Sequence, residues 1–190
     1  MKTYISVLRG INVSGQKPMK MDALKKTFES LNLENVRTYI QSGNVIFSAL
    51  ETSEIDLEEK IEKRIETDFG FKVPVIVKTT AAFKQIVEQN PWIKDTQKES
   101  KFLHVTLLGS KPNQNDFKSV EEKKQDDEEI HFTGDVVYLY CPNGYGKTKL
   151  NNSFIEQKLK VKATTRNWKT ATELLNMAAI SFSAEPVKQI

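Results

Sequence analysis

The order of short apolar runs and amphipathic stretches in the first 78 residues constrains this chain most. Tyr4-Ile5-Ser6-Val7-Leu8 reads as a strand apolar enough to be central. A polar loop over 9–20 follows, punctuated by Gly10, Gly15 and Pro18. Leu24, Phe28 and Leu31 recur at i, i+4 and i+7 and predict a helix from about Asp22 to Leu31, with Asn32-Leu33-Glu34-Asn35 ending it. Arg37-Thr38-Tyr39-Ile40 and Val45-Ile46-Phe47 read as strands. Gln41-Ser42-Gly43-Asn44 joins them, and Gly-Asn between strand-like runs is a hairpin signal. Ser53 stands as an N-cap before Leu57, Ile61, Ile65 and Phe69, and Gly70 closes that helix. Val73 to Val77 is β-branched, and Pro74 pushes it to an edge or a strand start. The order β-α-β-β-α-β is the ferredoxin-like arrangement, in which strand one is central and neighbours strand three.

The second half repeats the style. A helix over 80–90 stops at Asn90-Pro91, and Phe102 to Leu108 is a strong strand. Asn115 to Lys124 is weakly amphipathic, and Asp126-Asp127-Glu128-Glu129 reads as solvated surface. Ile130-His131-Phe132 and Val136 to Cys141 form a hairpin about Thr133-Gly134-Asp135. A helix from about Asn152 to Leu159 follows, then Ala163 to Trp168 as an extended link. Thr170 and Glu173 have capping-box spacing for a last helix that buries Ala171, Leu174, Leu175 and Ala178, and the tail after about Phe182 frays. The expectation is an α+β fold of two ferredoxin-like (βαββαβ-type) subdomains with antiparallel sheets. They take residues 1–78 and 79–190 and pack as one compact unit.

Composition enters as a set of exclusions. With 38% hydrophobic and 28% charged residues the chain is globular, and no run reaches the ~18 apolar residues of a membrane span. The N-terminus has no apolar signal core, and the single cysteine, Cys141, allows no intrachain disulfide, so the cytoplasm is the expected compartment. One cysteine with two histidines makes no structural zinc site, and nothing calls for a cofactor. The net charge of +3 is uneven. Residues 1–48 carry seven basic and three acidic side chains, and 141–190 carry eight and three. The middle holds 13 and 19, so the two ends are the basic parts.

Several stretches are candidates for chemistry. Asn143-Gly144-Tyr145-Gly146-Lys147-Thr148 lies between strand and helix, but a phosphate-binding P-loop needs glycine where Cys141 stands. A weaker anion site using Lys147 and Lys149 survives that test, as does a plain connection. The loops Arg9-Gly10-Ile11-Asn12 and Gln41-Ser42-Gly43-Asn44 leave adjacent strands. Asn12, Gln41, Ser42 and Asn44 offer donors and acceptors there, and Arg9 and Arg37 offer planar forks for phosphate or carboxylate. The bland alternative is that these side chains satisfy loop backbone. Tyr4, Tyr39 and Phe47 lie on strands, as stacking platforms for single-stranded nucleic acid or as core. Arg166 is a second anion contact or a helix cap beside Trp168. His104 and His131 sit on strands, and no nucleophile–base–acid set is readable, so catalysis is left open.

Leu8-Arg9-Gly10-Ile11-Asn12-Val13, Thr38-Tyr39-Ile40-Gln41-Ser42-Gly43-Asn44-Val45 and Thr164-Thr165-Arg166-Asn167-Trp168 followed by Thr170 resemble the bacterial family called domain of unknown function 1697. The resemblance implies a cytosolic α+β protein of two ferredoxin-like subdomains and supplies no activity. The expected function is binding of an anionic ligand, RNA or single-stranded DNA first, through basic loops. The alternatives are an enzyme or sensor for a small phosphorylated metabolite, in a cleft lined by Arg9, Asn12, Asn44 and Lys147, and a protein-interaction module.

Overall fold

The computed structural model describes residues 1–180, so the fraying expected after Phe182 lies outside the described residues. The first six elements are β1 (Lys2–Leu8), α1 (Met21–Glu29), β2 (Glu34–Tyr39), β3 (Asn44–Ala49), α2 (Glu54–Phe69) and β4 (Val75–Thr79). They make a four-stranded antiparallel sheet of order β2-β3-β1-β4, the ferredoxin-like order. Tyr4, Leu8, Val45, Phe47, Val75 and Val77 point to one face, where Leu24 and Phe28 of α1 and Leu57, Ile61 and Ile65 of α2 bury them. Tyr4 stacks on Phe47 at 5.6 Å, and Phe28 meets Phe47 edge-on at 5.5 Å. Ile5, Val7, Ile46 and Ile76 point the other way and are buried too.

The caps of α2 are those its sequence dictates. Ser53 accepts from the Asp56 N–H at 3.0 Å, and Gly70 takes the left-handed conformation at φ 76°. The strand β2 begins earlier than its sequence suggests, because Glu34 pairs with Ser48 across a bulge before Arg37.

The remaining elements are α3 (Thr80–Glu88), β5 (Leu103–Leu108), α4 (Phe117–Glu121), β6 (Glu129–Thr133), β7 (Val136–Tyr140), α5 (Asn152–Leu159), β8 (Ala163–Asn167) and α6 (Trp168–Ile180). A second four-stranded antiparallel sheet has the order β6-β7-β5-β8. Its helix-facing core is Leu108, Val120, Val137, Leu139, Leu150, Ile155 and Leu159. Three expectations are corrected here. Ala163 to Asn167 is a full strand paired with β5, not a link; its polar residues hide it, since Thr and Arg carry no apolar alternation. The last helix starts at Trp168, and Asn167 Oδ1 accepts from the Thr170 N–H at 2.8 Å, so the cap lies three residues before Thr170. Glu128 is buried rather than solvated, because its carboxylate accepts from the Gln125 N–H at 2.9 Å.

The chain is therefore an α+β protein with two ferredoxin-like sheets. By contacts it divides into a unit of Met1–Lys84 with residues 173–180, and a unit of Gln85–Thr172.

The edges of the two sheets are finished differently. The bond from the Arg9 N–H to the Pro74 carbonyl fixes which β4 groups face away from β1: Val75, Val77 and Thr79. Their N–H groups donate to Glu62 at 2.8 Å, Glu58 at 2.9 Å and Glu54 at 2.8 Å. Four helical residues rise ~6 Å and two strand residues ~6.6 Å, so glutamates spaced by four match alternate strand amides. In the second sheet Glu156 accepts from the Ala163 N–H of β8 at 3.1 Å.

Candidate functional site

The loop between β1 and α1 is built on left-handed backbone. Gly10, Asn12, Ser14, Gly15 and Lys17 all have φ between 47° and 74°. Asn12 holds this shape. Its Nδ2 donates to the Met19 carbonyl at 2.8 Å and to the Gln41 carbonyl at 2.9 Å, and its Oδ1 accepts from the Met19 N–H at 2.7 Å. One side chain thus closes the loop on itself and stitches it to the 40–43 turn.

That turn needs glycine. Gly43 sits at φ 76°, and a Cβ there would lie 2.7 Å from Leu8 Cβ and 2.8 Å from Ile11 Cδ1. Its carbonyl takes the Leu8 N–H at 2.8 Å, which brings the two loops together. Ile40, at φ 48°, is half-exposed at the turn, a conformation a β-branched residue rarely adopts. Asn44 is fully buried and donates to the Tyr39 carbonyl at 3.0 Å and to Ser42 Oγ at 2.9 Å.

The joined loops wall a groove of about 510 Å³. Asn12, Pro18, Met19, Lys20, Met21, Asp22 and Gln41 line it. The helix α1 starts in this wall, and no side chain caps its first turn. Residues 9–26 carry five basic side chains, Arg9, Lys17, Lys20, Lys25 and Lys26, against one acidic, Asp22. Lys17 is spent on the Lys72 carbonyl at 2.7 Å. Lys20, Asp22 and the Gln41 carboxamide make no side-chain hydrogen bond or ion pair among the described residues.

The expected site residues thus separate. Asn12, Ser42 and Asn44 hold backbone and one another. Arg37 donates to the Met177 carbonyl in the last turn of α6, serving as a helix cap. The Arg9 N–H bonds the Pro74 carbonyl. Asn12 and Gln41 of the polar loop set line the groove, and of the two only Asn12 spends its side chain on backbone among the described residues. Lys20 and Asp22 were not readable as site residues; the signal is a helix start after Pro18 with no Ser, Thr, Asp or Asn at the cap.

The 143–149 loop belongs to the second unit, as does Arg166. Lys147 and Lys149 are exposed there. Tyr145 Oη donates to Thr165 Oγ1 at 3.1 Å, and that oxygen donates to Asn152 Oδ1 at 2.6 Å and lies 2.7 Å from Thr106 Oγ1. This network ties the loop to β5, β8 and the start of α5. His104 stacks on Tyr145 at 4.9 Å and bonds the Phe102 carbonyl through Nδ1. Burial holds its imidazolium below the usual histidine range, which the Phe102 carbonyl partly offsets. Cys141 is buried, and burial aided by the Glu128 carboxylate pushes its thiol up to about 12, far from a nucleophile's range. Arg166 is buried, which lowers its guanidinium to about 10, and it donates to the Thr165 carbonyl at 3.0 Å. Tyr4 and Phe47 are core, so the first sheet offers neither as a stacking platform. Among the described residues no cluster of His, Cys, Asp or Glu suits a metal ion, and no helix is long and apolar enough to cross a membrane.

A family model described as "Protein of unknown function (DUF1697)" matches residues 1–138. No curated protein matches the chain. Among solved structures, the chain is similar to the conserved bacterial protein SP0830 from Streptococcus pneumoniae, at 24% identity with a TM-score of 0.72. The alignment covers 93% of this chain and 98% of that one, and the likeness is one of fold.

Proposed function

The chain belongs to the DUF1697 family, and from that premise we propose that it binds a small anionic ligand, a phosphorylated metabolite foremost, in the groove between the β1–α1 loop and the 40–43 turn. The observation that carries this reading is the groove itself. Lys20, Gln41 and the uncapped first turn of α1 line about 510 Å³ of open space. Asp22 on the same wall disfavours a polyanion and accepts from hydroxyl or ammonium groups of a small molecule. The burial of Tyr4 and Phe47 likewise favours a small anion over a stacked nucleic-acid strand. The role of the scaffold is to hold the wall still, through Asn12 and Gly43.

A thermal-shift series with inorganic phosphate, sugar phosphates and nucleotides tests it. A true ligand at ~100 times its dissociation constant adds about 2.7 kcal/mol of stability, and Lys20→Glu abolishes the shift. A flat series with folded protein refutes the proposal. Labelled oligonucleotides titrated at ~50 and ~200 mM salt form the opposing arm, since nucleic-acid binding is tightest at low salt. Tight oligonucleotide binding there, with no small-molecule shift, transfers the function to nucleic acid.

A further inference from the structure

The second sheet leaves one edge open, and its chemistry selects a partner. The Cys141 N–H donates to the Phe102 carbonyl at 3.0 Å and the Leu108 N–H to the Asp135 carbonyl at 2.9 Å. Those two bonds set the phase of the β5–β7 ladder, so that Val136, Tyr138 and Tyr140 turn their backbone groups toward β6. Their partners are Thr133, His131 and Glu129. The N–H and C=O groups of Ile130 and Phe132 therefore point away from the sheet. Among the described residues nothing hydrogen-bonds them.

The contrast with the other edges is specific. Three glutamates cover β4, a bulge distorts β2, and Glu156 takes an outward amide of β8. The strand β6 has an unbroken register, no proline and no left-handed residue. Ile130 and Phe132 lie on its helix-facing side, half-buried, with Phe132 stacked on Phe117 at 4.0 Å. Glu129 and His131 are exposed on the other side. Asp126 and Asp127 are exposed just before the strand; Asp127 accepts from Asn143 Nδ2, and Lys98 pairs with Glu129 at 2.6 Å.

We infer that β6 is a docking edge for an extended peptide of another protein that alternates apolar and basic residues. Such a strand adds to the sheet through the Ile130 and Phe132 backbone groups. Its apolar side chains lie beside Ile130 and Phe132, and its lysines or arginines lie beside Glu129 and the acidic run. A second copy of this chain fits less well. Antiparallel pairing of two β6 strands about His131 sets Asp127 of one copy against Asp135 of the second.

Fluorescence anisotropy of the full chain with a labelled peptide of alternating lysine and valine is the test. Saturable binding is expected, weakened by added salt and absent for the matching glutamate–valine peptide. Ile130→Pro removes one outward donor without touching the β6–β7 ladder and raises Kd about tenfold. Where that variant fails to fold, the wild-type chain with a peptide N-methylated at alternate residues gives the same reading, and loss of binding is expected. No saturable binding, equal binding of the acidic peptide, or indifference to both backbone blocks overturns the inference. Sedimentation of the free chain as a dimer that Ile130→Pro dissolves overturns the choice of partner.

Discussion

At the scale of single residues, the polar loop set splits into scaffold and surface. Asn12 spends its carboxamide on three backbone groups, and Asn44 spends its own on Tyr39 and Ser42, while Gln41 lines the groove and its side chain makes no hydrogen bond among the described residues. All three are polar residues in Gly-bearing loops, so sequence marks them alike; whether an amide faces its own backbone depends on positive φ angles that only the folded loop reveals. His104 gives a residue-scale prediction. Its folded-state pKa lies below the unfolded value of about 6.5, so the unfolded chain binds the proton more readily and stability falls as pH drops below that value. His104→Phe keeps a ring against Tyr145 and cannot titrate. Urea unfolding at about pH 7.5 and 5.5 should show wild type losing more stability than the variant on acidification; equal losses would place the dependence elsewhere.

At the scale of elements, α2 does two jobs with two stripes. Leu57, Ile61 and Ile65 face the core, as their spacing predicts. Glu54, Glu58 and Glu62 share the same four-residue period and take the outward amides of β4. Sequence has no signal for this, because the acceptor pattern gains meaning only when an edge strand lies antiparallel beneath it. Glu58 is the buried member. Glu58→Ala leaves the Val77 N–H unpaired and should cost about 1–3 kcal/mol in urea unfolding. Glu58→Gln keeps an acceptor and should cost clearly less. Equal costs for the two would mean that packing, not the hydrogen bond, is what Glu58 supplies. The strand β8 was hidden for a related reason: Thr164, Thr165 and Arg166 are polar by type, and their strand character comes from pairing with β5.

At the scale of the whole molecule, the chain returns to its first unit. Residues 173–180 belong with Met1–Lys84, and the Met177 carbonyl takes Arg37 of β2. A fragment of residues 1–84 lacks that return. It also lacks the Met177 carbonyl that takes Arg37, and should melt below the full chain in a thermal unfolding experiment. A fragment with the full chain's melting temperature would show the return to be dispensable.

Sequence by itself determined the element order from β1 to β4, the Ser53 and Gly70 caps and the core stripes of α2. Each is a local rule, in which a residue's own backbone preference or its helical period decides the outcome. Tertiary structure alone decided which polar groups face a groove, which face backbone and which guard an edge. Those outcomes depend on partners distant in sequence, such as Asn12 with Gln41 and Glu58 with Val77, and a hydrogen bond is defined by where both of its ends lie.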